Sequence, residues 1–358
     1  MMAVEAQLAL RGILARAVDA RVAPGVAVEV GTVDGPSVTE AVGRLSYAID
    51  APAVTDDTIY DLASLTKVIA TTTVSMRLAA AGALPLDTVV VRRIAEFTGE
   101  GRDQVTVADL LGHSAGLPVH RPYFRRVAGR RAYRARIAAE PLAYPPNTRH
   151  EYTDLGFMLL GLLLEDAAGQ SLSGQFDAWR HEAIPGAALC YGVPAEYRPR
   201  TAPTEAETWR GRVLVGDVHD ANAAALGGVA GHAGLFGTAA AVGAFARWYL
   251  ELWLGRRDAS AGVPSRLAAQ FARRGTVPGS SRALGWDTML PTSSCGTRLS
   301  PSAIGHTGFT GTSLWIDPTR RLYIVLLCNR VHPHSSAADG IRDLRIAVHD
   351  AIAEGWPA

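Results

Sequence analysis

A serine and the chain's only lysine lie three residues apart in the segment DLASLTKVIA, residues 61–70. At this spacing Ser64 and Lys67 share one face of a helix, about one turn apart. Arginine supplies all the other basic residues, and only lysine can release its proton at an accessible pH. The pair therefore predicts a serine nucleophile assisted by a basic lysine. The alternative is a helix-capping serine and an ordinary surface charge.

Two later segments could complete such a site. HEYTDLGF places Tyr152 and Asp154 just before an apolar helix, on a loop that can face a cleft. GHTGFTG places His306, Thr307 and Gly308 on a predicted strand, where glycine allows another backbone to approach closely. These segments would supply a second proton-transfer group and a backbone edge for substrate. Tyr152 taken alone could equally be a core aromatic residue.

Composition limits the possible functions. With 358 residues, 48% hydrophobic and 19% charged, the chain can form two domains or one domain with a large insertion. A net charge of +1 gives no reason to expect nucleic acid or an anionic membrane as a partner. The three cysteines are widely spaced and odd in number, which favours a reducing compartment. Histidine and cysteine spacing predicts no zinc site, and we expect no cofactor.

The N-terminal segment predicts an amphipathic helix and lacks the pattern of a secretory leader. We expect a cytoplasmic protein, or a periplasmic one if a leader has been removed. No run of 18 uncharged apolar residues occurs, so we expect no membrane span. Seven arginines in residues 121–136 are more typical of a solvated helix face than of a binding site.

Strand-like runs occur at both ends of the chain. Residues 26–33 and 37–45 predict a hairpin, and residues 282–290, 303–318 and 321–331 predict three more strands before a helix at 335–353. The middle is helical in character, with Thr106 and Thr238 as N-caps and an apolar helix that ends at Gly169. The pattern predicts one sheet assembled from both chain ends, with the terminal helices on a face.

Three motifs together resemble those of a known superfamily. Ser64-Leu65-Thr66-Lys67, Tyr152-Thr153-Asp154 and His306-Thr307-Gly308 are similar to the S-x-x-K, Y-x-N and K-T-G elements of serine β-lactamases and penicillin-binding proteins. The tyrosine element resembles the branch with class C β-lactamases, D-Ala-D-Ala carboxypeptidases and family VIII carboxylesterases. The segments LLGHSAGLP and GGVAGHAGLFGTAA add to the resemblance.

The resemblance implies an α/β (α+β) fold of the β-lactamase type. Its sheet is mixed and mostly antiparallel, helices flank it, and an all-helical domain is inserted. We place the sheet domain at residues 1–86 and 240–358 and the insertion at 87–239, with the active site between them.

The resemblance also implies a role for each motif residue. Ser64 is the nucleophile, and its own N–H forms the oxyanion hole together with the N–H of Phe309. Lys67 either takes the Ser64 proton itself or keeps its charge and stabilises the tyrosinate form of Tyr152 as the base. Thr307 and Gly308 help to hold substrate.

Two positions depart from the motifs. Asp154 stands where an asparagine would donate to a substrate carbonyl, and a carboxylate suits an ammonium or hydroxyl better. His306 replaces a lysine that helps to hold a substrate carboxylate, so we expect such substrates to bind better near pH 6, where imidazolium accumulates. Both changes argue against efficient β-lactam hydrolysis.

The first functional hypothesis is a serine acyl-hydrolase for esters or small amides. It would be carboxylesterase-like, with muropeptide-derived compounds among its candidate substrates. The alternatives are a β-lactamase or D-Ala-D-Ala carboxypeptidase and, from another class, a non-catalytic penicillin or peptide sensor. In each case the partner is a small molecule, and the chain is a monomer or a small homo-oligomer.

Overall fold

A computed structural model describes residues 4–335 and 340–356. The strands are β1 (Gly25–Thr32), β2 (Gly35–Gly43), β3 (Tyr60–Asp61), β4 (Leu189–Tyr191), β5 (Ala206–Glu207), β6 (Arg212–Val213), β7 (Leu235–Gly237), β8 (Ala259–Ser260), β9 (Val263–Pro264), β10 (Asp287–Thr288), β11 (Ile304–Thr307), β12 (Ser313–Asp317) and β13 (Leu322–Cys328).

The helices are α1 (Val4–Asp19), α2 (Thr72–Ala80), α3 (Val107–Leu111), α4 (Arg130–Ala139), α5 (Asp154–Ala168), α6 (Leu172–Ala183), α7 (Ala221–Ala225), α8 (Ala239–Trp253), α9 (Ser265–Phe271) and α10 (Ile341–Gly355). A π-helical turn, Lys67–Thr71, runs directly into α2, and short 3-10 turns occur at Val90–Arg92, Arg102–Gln104, Tyr123–Arg125 and Ala195–Arg200.

The main sheet joins the two ends of the chain. Its six antiparallel strands have the order β10-β11-β12-β13-β1-β2, with Val28 of β1 opposite Leu326 of β13. Both strands are buried on both faces; β13 is a continuous apolar run, whereas β1 includes the buried Glu29. Helices α1 and α10 pack together and share one apolar core with the sheet, whereas α8 packs against β1 and β13 within the other core. The predicted α/β fold with an antiparallel sheet and flanking helices is confirmed.

Local signals set the ends of several helices as expected. Thr106 and Asp109 form a reciprocal capping box at the start of α3, and the Thr238 hydroxyl accepts the N–H of Ala241 in α8. Helix α5 ends at Gly169, which adopts the left-handed conformation. Most of the arginines of residues 121–136 are exposed, so the solvated helix face is confirmed for α4 and the segment before it.

Other elements differ from the sequence prediction. The run at 303–318 is two strands, β11 and β12, joined by a turn at 308–312. The run at 282–290 contributes only the two residues of β10, because Gly285 turns the chain with a φ of 86°. The last helix begins at Ile341, and residues 336–339 of the predicted helix lie outside the described part of the chain.

The middle of the chain holds α3 to α7 and four short strands, of which β7 pairs with β3 and β4. The division at residues 87 and 239 stays a prediction. No single helix among the described residues is long and apolar enough to cross a membrane; only α5 and α6 together, bent by 76°, reach that length and composition.

Candidate active site

Ser64 lies in a tight turn between β3 and the π-helical turn. Ala63 before it has a positive φ of 46°, and its N–H donates to Asp61 Oδ1 at 2.8 Å. The other oxygen of the buried Asp61 accepts the His219 N–H at 2.6 Å. This carboxylate therefore holds a backbone conformation that is costly for a residue with a side chain. The turn presents Ser64 at the start of the helix, as the sequence predicts.

Lys67 is completely buried and donates to three acceptors. Its Nζ lies 3.0 Å from Ser64 Oγ, 2.8 Å from Asp154 Oδ1 and 3.3 Å from the His232 carbonyl oxygen. Burial is the largest single influence and would lower the pKa of Lys67, but Asp154 and Tyr152 together outweigh burial and leave the pKa above its ordinary value. Lys67 is thus an ammonium at neutral pH.

Tyr152 meets the nucleophile directly. Its hydroxyl donates to Ser64 Oγ at 2.8 Å. Cationic groups surround its ring: Lys67 Nζ lies 4.9 Å and the Arg282 guanidinium 5.2 Å from the ring centroid. Ser64, Lys67 and Tyr152 are therefore brought together as their motifs predict.

His113 fixes Tyr152 from the side. It comes from the LLGHSAGLP segment, has a φ of 56° and is fully buried. Its ring centroid lies 4.7 Å from that of Tyr152, and its Nδ1 accepts the Thr153 N–H at 3.1 Å. Burial, and after it the charge of Arg282, lowers the pKa of His113 well below its ordinary value. The neutral ring thus packs against Tyr152 and holds the next peptide in place.

Asp154 is a partner of the lysine. It is the first residue of α5, its Oδ1 contacts Lys67, and its Oδ2 lies 3.9 Å from His120 Nδ1. Burial opposes its ionisation, but the Lys67 ammonium, His120 and His232 together outweigh burial and hold the pKa of Asp154 well below its ordinary range. The carboxylate does not line the cavity above Ser64. The substrate contact predicted for Asp154 therefore stays a prediction, and its direct contact is Lys67.

His306 lies on β11 and is buried. Its Nδ1 donates to the Thr307 carbonyl at 2.8 Å, and the ring centroid lies 5.8 Å from that of Tyr152. Burial, and then the charge of Arg282, lowers the pKa of His306 well below its ordinary value. The expectation of a charged imidazolium near pH 6 is therefore wrong, because a buried ring beside cations resists a second proton.

The predicted oxyanion donors lie on two segments that are tied together. Thr310 Oγ1 donates to the Asp61 carbonyl at 2.8 Å, and Thr312 Oγ1 donates to the Leu62 carbonyl at 3.1 Å. A Cβ on Gly308 would overlap both Thr312 Oγ1 and the Leu62 carbonyl oxygen, so only glycine allows this approach.

The two donors themselves are free to bind a ligand. Within residues 4–335 and 340–356, neither the Ser64 N–H nor the Phe309 N–H donates to a protein acceptor. Phe309 is also the exposed residue of the turn, with 55% of its surface accessible. Two unpartnered N–H groups beside a serine are the arrangement that an oxyanion requires.

An open cavity of about 350 Å³ lies above Ser64 and carries positive charge. The Arg330 Nε donates to the Phe309 carbonyl at 2.7 Å, and Arg282 lies 3.9 Å from Asp287. The lining residues include three arginines and one acid: Ser64, Tyr152, Arg282, Asp287, Ser294, His306, Thr307, Gly308, Phe309, Trp315, Arg330, Ile341 and Arg345. The cavity therefore suits an anionic group next to the reactive serine.

Sequence reasoning missed several residues of this site. Arg282 and Arg345 reach it from a turn and from α10, and no local motif distinguishes them from the chain's many other arginines. His113 could have been suspected, because it lies in a segment with family resemblance. Among the described residues, no group of three or more His, Cys, Asp or Glu side chains is arranged to hold a metal ion.

The model of the β-lactamase family matches residues 10–349 of this chain. The chain belongs to the β-lactamase family. A relative from Escherichia coli (strain K12), provisionally named D-alanyl-D-alanine carboxypeptidase, is 31% identical over 320 residues, which cover 80% of this chain and 71% of the relative. This member of the β-lactamase family is therefore a serine hydrolase.

Solved structures share the fold of this β-lactamase-family chain. EstCE1, described as a hydrolase with promiscuous acyltransferase activity, has a TM-score of 0.76 at 20% identity, covering 98% of this chain and 99% of its own. A class C β-lactamase from Rhodobacter sphaeroides has a TM-score of 0.75 at 22% identity, covering 97% and 99%. These likenesses extend over the whole fold.

Proposed function

We propose that this protein hydrolyses esters or small amides through an acyl-enzyme at Ser64. One observation carries the proposal: Ser64 Oγ lies within hydrogen-bond distance of both the Tyr152 hydroxyl, at 2.8 Å, and the Lys67 ammonium, at 3.0 Å. A serine hydroxyl becomes an effective nucleophile only when a neighbouring group removes its proton.

Tyr152 is the better candidate for the general base. Lys67 keeps its proton because Asp154 stabilises the ammonium, so it has no lone pair for the Ser64 proton. Its charge instead stabilises a tyrosinate at Tyr152. In this assignment Lys67 and Asp154 act as an electrostatic pair, and Tyr152 moves the proton.

The proposed reaction has two steps, acylation of Ser64 and hydrolysis of the acyl-enzyme. Starting from the tyrosinate form of Tyr152, Ser64 Oγ attacks the substrate carbonyl carbon as its proton passes to the tyrosinate oxygen, and the carbonyl oxygen becomes an oxyanion held by the N–H groups of Ser64 and Phe309. Collapse expels the alcohol or amine, which takes the proton from Tyr152. Water then attacks the acyl-enzyme by the same route, releasing the acid and restoring Ser64.

A D-alanyl-D-alanine carboxypeptidase is the second candidate. A peptide of this class carries a terminal carboxylate close to the scissile bond, and Arg282 gives the cavity a cation beside Tyr152. The provisional name of the Escherichia coli relative favours the same substrate. In this candidate Arg282 takes over the contact with the carboxylate that a lysine at position 306 would make.

The cysteines bear on the cellular compartment of the protein. All three cysteines are unpaired, which fits the reducing cytoplasm predicted from the sequence. A monomer or small homo-oligomer stays our expectation. Neither point changes the proposed chemistry.

Intact-protein mass spectrometry tests the proposal. The protein is incubated separately with p-nitrophenyl acetate, benzylpenicillin and a peptide ending in D-Ala-D-Ala, and Ser64→Ala serves as the control. We expect a Ser64-dependent acyl adduct and repeated turnover with the ester, and an adduct with the peptide if the second candidate is correct. A stable adduct without turnover would indicate a sensor, and no adduct with any of the three would refute the proposal.

A further inference from the structure

Arg345 reaches the underside of the turn that carries Phe309. It lies in the second turn of α10, and its Nη2 donates to the Gly308 carbonyl at 2.8 Å and to the Thr312 carbonyl at 2.9 Å. The Gly308 N–H also donates to the Thr312 carbonyl, at 2.8 Å. One guanidinium nitrogen therefore bridges the first and last residues of a closed five-residue turn.

The Arg345 charge is buried without a counter-charge. The residue is only 9% exposed, its Nε has no hydrogen-bond partner, and no carboxylate of the described chain lies within 4.0 Å of the guanidinium. Burial lowers the pKa of Arg345 to about 10, which still leaves it charged at neutral pH. An unpaired buried cation is costly, and such a cost is commonly retained at functional sites.

The Arg345 guanidinium binds the peptide group that carries one of the two predicted oxyanion donors. The Gly308 carbonyl and the Phe309 N–H belong to the same peptide group. A cation that binds the carbonyl draws electron density from the amide and makes its N–H a stronger donor. The same hydrogen bond fixes the plane of the peptide, and therefore the direction in which the Phe309 N–H points.

We propose that Arg345 is a positioning residue of the oxyanion hole, which orients and polarises the Gly308–Phe309 peptide so that its N–H stabilises the tetrahedral intermediate. The proposal rests on the proposed function, because it requires the Phe309 N–H to bind an oxyanion. The negative charge that develops on the substrate oxygen is the counter-charge that Arg345 lacks in the resting protein. Arg345 itself touches no reacting atom.

A purely structural role would have different consequences. If Arg345 only held the turn in place, any side chain that kept a donor there would serve, and a loosened turn would weaken substrate binding as well as catalysis. An oxyanion role predicts a loss in kcat with little change in KM, since the interaction strengthens only in the transition state. It also predicts weaker binding of a tetrahedral adduct.

The test compares Arg345→Lys, which keeps the charge, with Arg345→Gln, which keeps a neutral donor. Arg342→Gln is the matched control, because Arg342 is an exposed arginine of the same helix that also donates to a backbone carbonyl. We expect Arg345→Gln to lower kcat for p-nitrophenyl acetate roughly ten-fold or more. KM should change by less than about two-fold. Arg345→Lys should recover part of the loss, and Arg342→Gln should match the wild type.

Phenylboronic acid supplies an independent readout, because its adduct with serine is tetrahedral and places an oxygen in the oxyanion hole. Its inhibition constant should rise in Arg345→Gln by about the factor by which kcat falls. Equal kcat in the wild type and a folded Arg345→Gln, or identical losses in the Gln and Lys variants, would refute the proposal for Arg345 alone. Absence of any Ser64 adduct in the wild type would instead refute the proposed function, and this inference with it.

Discussion

The Asp154 carboxylate lies 2.8 Å from the Lys67 ammonium, and the two groups form a buried ion pair directly behind the nucleophile. Lys67 is fully buried, whereas the Asp154 side chain is 22% exposed. Together with Tyr152, the carboxylate keeps the lysine charged where burial would otherwise favour the neutral amine. The pair therefore controls the electrostatic potential at Ser64 and Tyr152.

Replacing Lys67 by arginine should remove most of the activity. Three acceptors surround the compact ammonium, and a planar guanidinium cannot donate to all of them from the same space. We expect kcat on p-nitrophenyl acetate to fall by about 100-fold or more, with a thermal melt to show that the variant is folded. Near-wild-type turnover in a folded Lys67→Arg protein would contradict the assigned site.

Asp154→Asn should shift the pH dependence of the reaction. Without the carboxylate, burial dominates and lowers the pKa of Lys67, so the ammonium is lost at a lower pH. The alkaline limb of the kcat/KM profile should therefore move to lower pH. The free energy of unfolding should fall by about 3 kcal/mol at neutral pH, because a buried charge loses its partner. An unmoved alkaline limb would show that Asp154 does not govern the protonation of Lys67.

Arg282→Gln should distinguish anionic from neutral substrates. The guanidinium lines the cavity beside Tyr152, whereas His306 is uncharged at neutral pH. For a carboxylate-bearing ester we expect KM to rise about ten-fold, corresponding to roughly 1.4 kcal/mol of lost attraction. A neutral ester of the same acid should keep its KM. Equal changes in KM for both esters would exclude a carboxylate site at Arg282. In the wild type, the KM for the carboxylate-bearing ester should be the same at pH 6 and pH 8, because His306 stays neutral at both.

Gly308→Ala should separate the two halves of the oxyanion hole. The new methyl group would overlap Thr312 Oγ1 and the Leu62 carbonyl, which joins the turn to the segment before Ser64. We expect kcat to fall by about 100-fold, comparable with the loss of one oxyanion donor. Gly12→Ala on α1 is the control, since its methyl group would meet only the end of Arg16 at 3.4 Å. Equal kcat in the two variants would show that close contact between the 308–312 turn and the segment before Ser64 is not needed for catalysis.

Three buried histidines should make the protein less stable in mild acid. His113, His306 and His349 have a pKa lowered by burial, that of His349 to about 4, so each stays neutral when folded and binds a proton near pH 6.5 when unfolded. The contribution of these neutral histidines to the free energy of unfolding is therefore fully present above pH 6.5, and it is lost progressively as the pH falls below that value. Each histidine contributes up to about 1.4 kcal/mol per pH unit.

Urea unfolding at pH 7.5, 6.5 and 5.5 measures this dependence. The His349→Gln substitution, at a buried position of α10, should reduce the slope below pH 6.5 by about one histidine's contribution of 1.4 kcal/mol per pH unit. A free energy of unfolding that does not change between pH 7.5 and 5.5 would contradict the expected coupling.

Motifs with short-range geometry could be predicted from the sequence, and contacts between distant segments could not. Ser64 and Lys67 are one helical turn apart, strand-like alternation before a turn identified β1, and a continuous apolar run identified the fully buried β13. The Lys67–Asp154 pair spans 87 positions, and nothing local to Asp154 indicates which cation it meets. The burial that lowers the pKa of His306 and the reach of Arg345 likewise arise only when α10 and the sheet are packed.

The pairing of β1 with β13 also has a consequence for how the enzyme is made. Strand β1 can pair with β2 as soon as both are made, but its other neighbour, β13, follows much later in the chain, and long-range pairing of this kind slows folding. Ser64 is synthesised well before Phe309 and Arg345. A nascent chain that does not yet contain Phe309 and Arg345 should therefore carry the nucleophile without the groups that make it reactive.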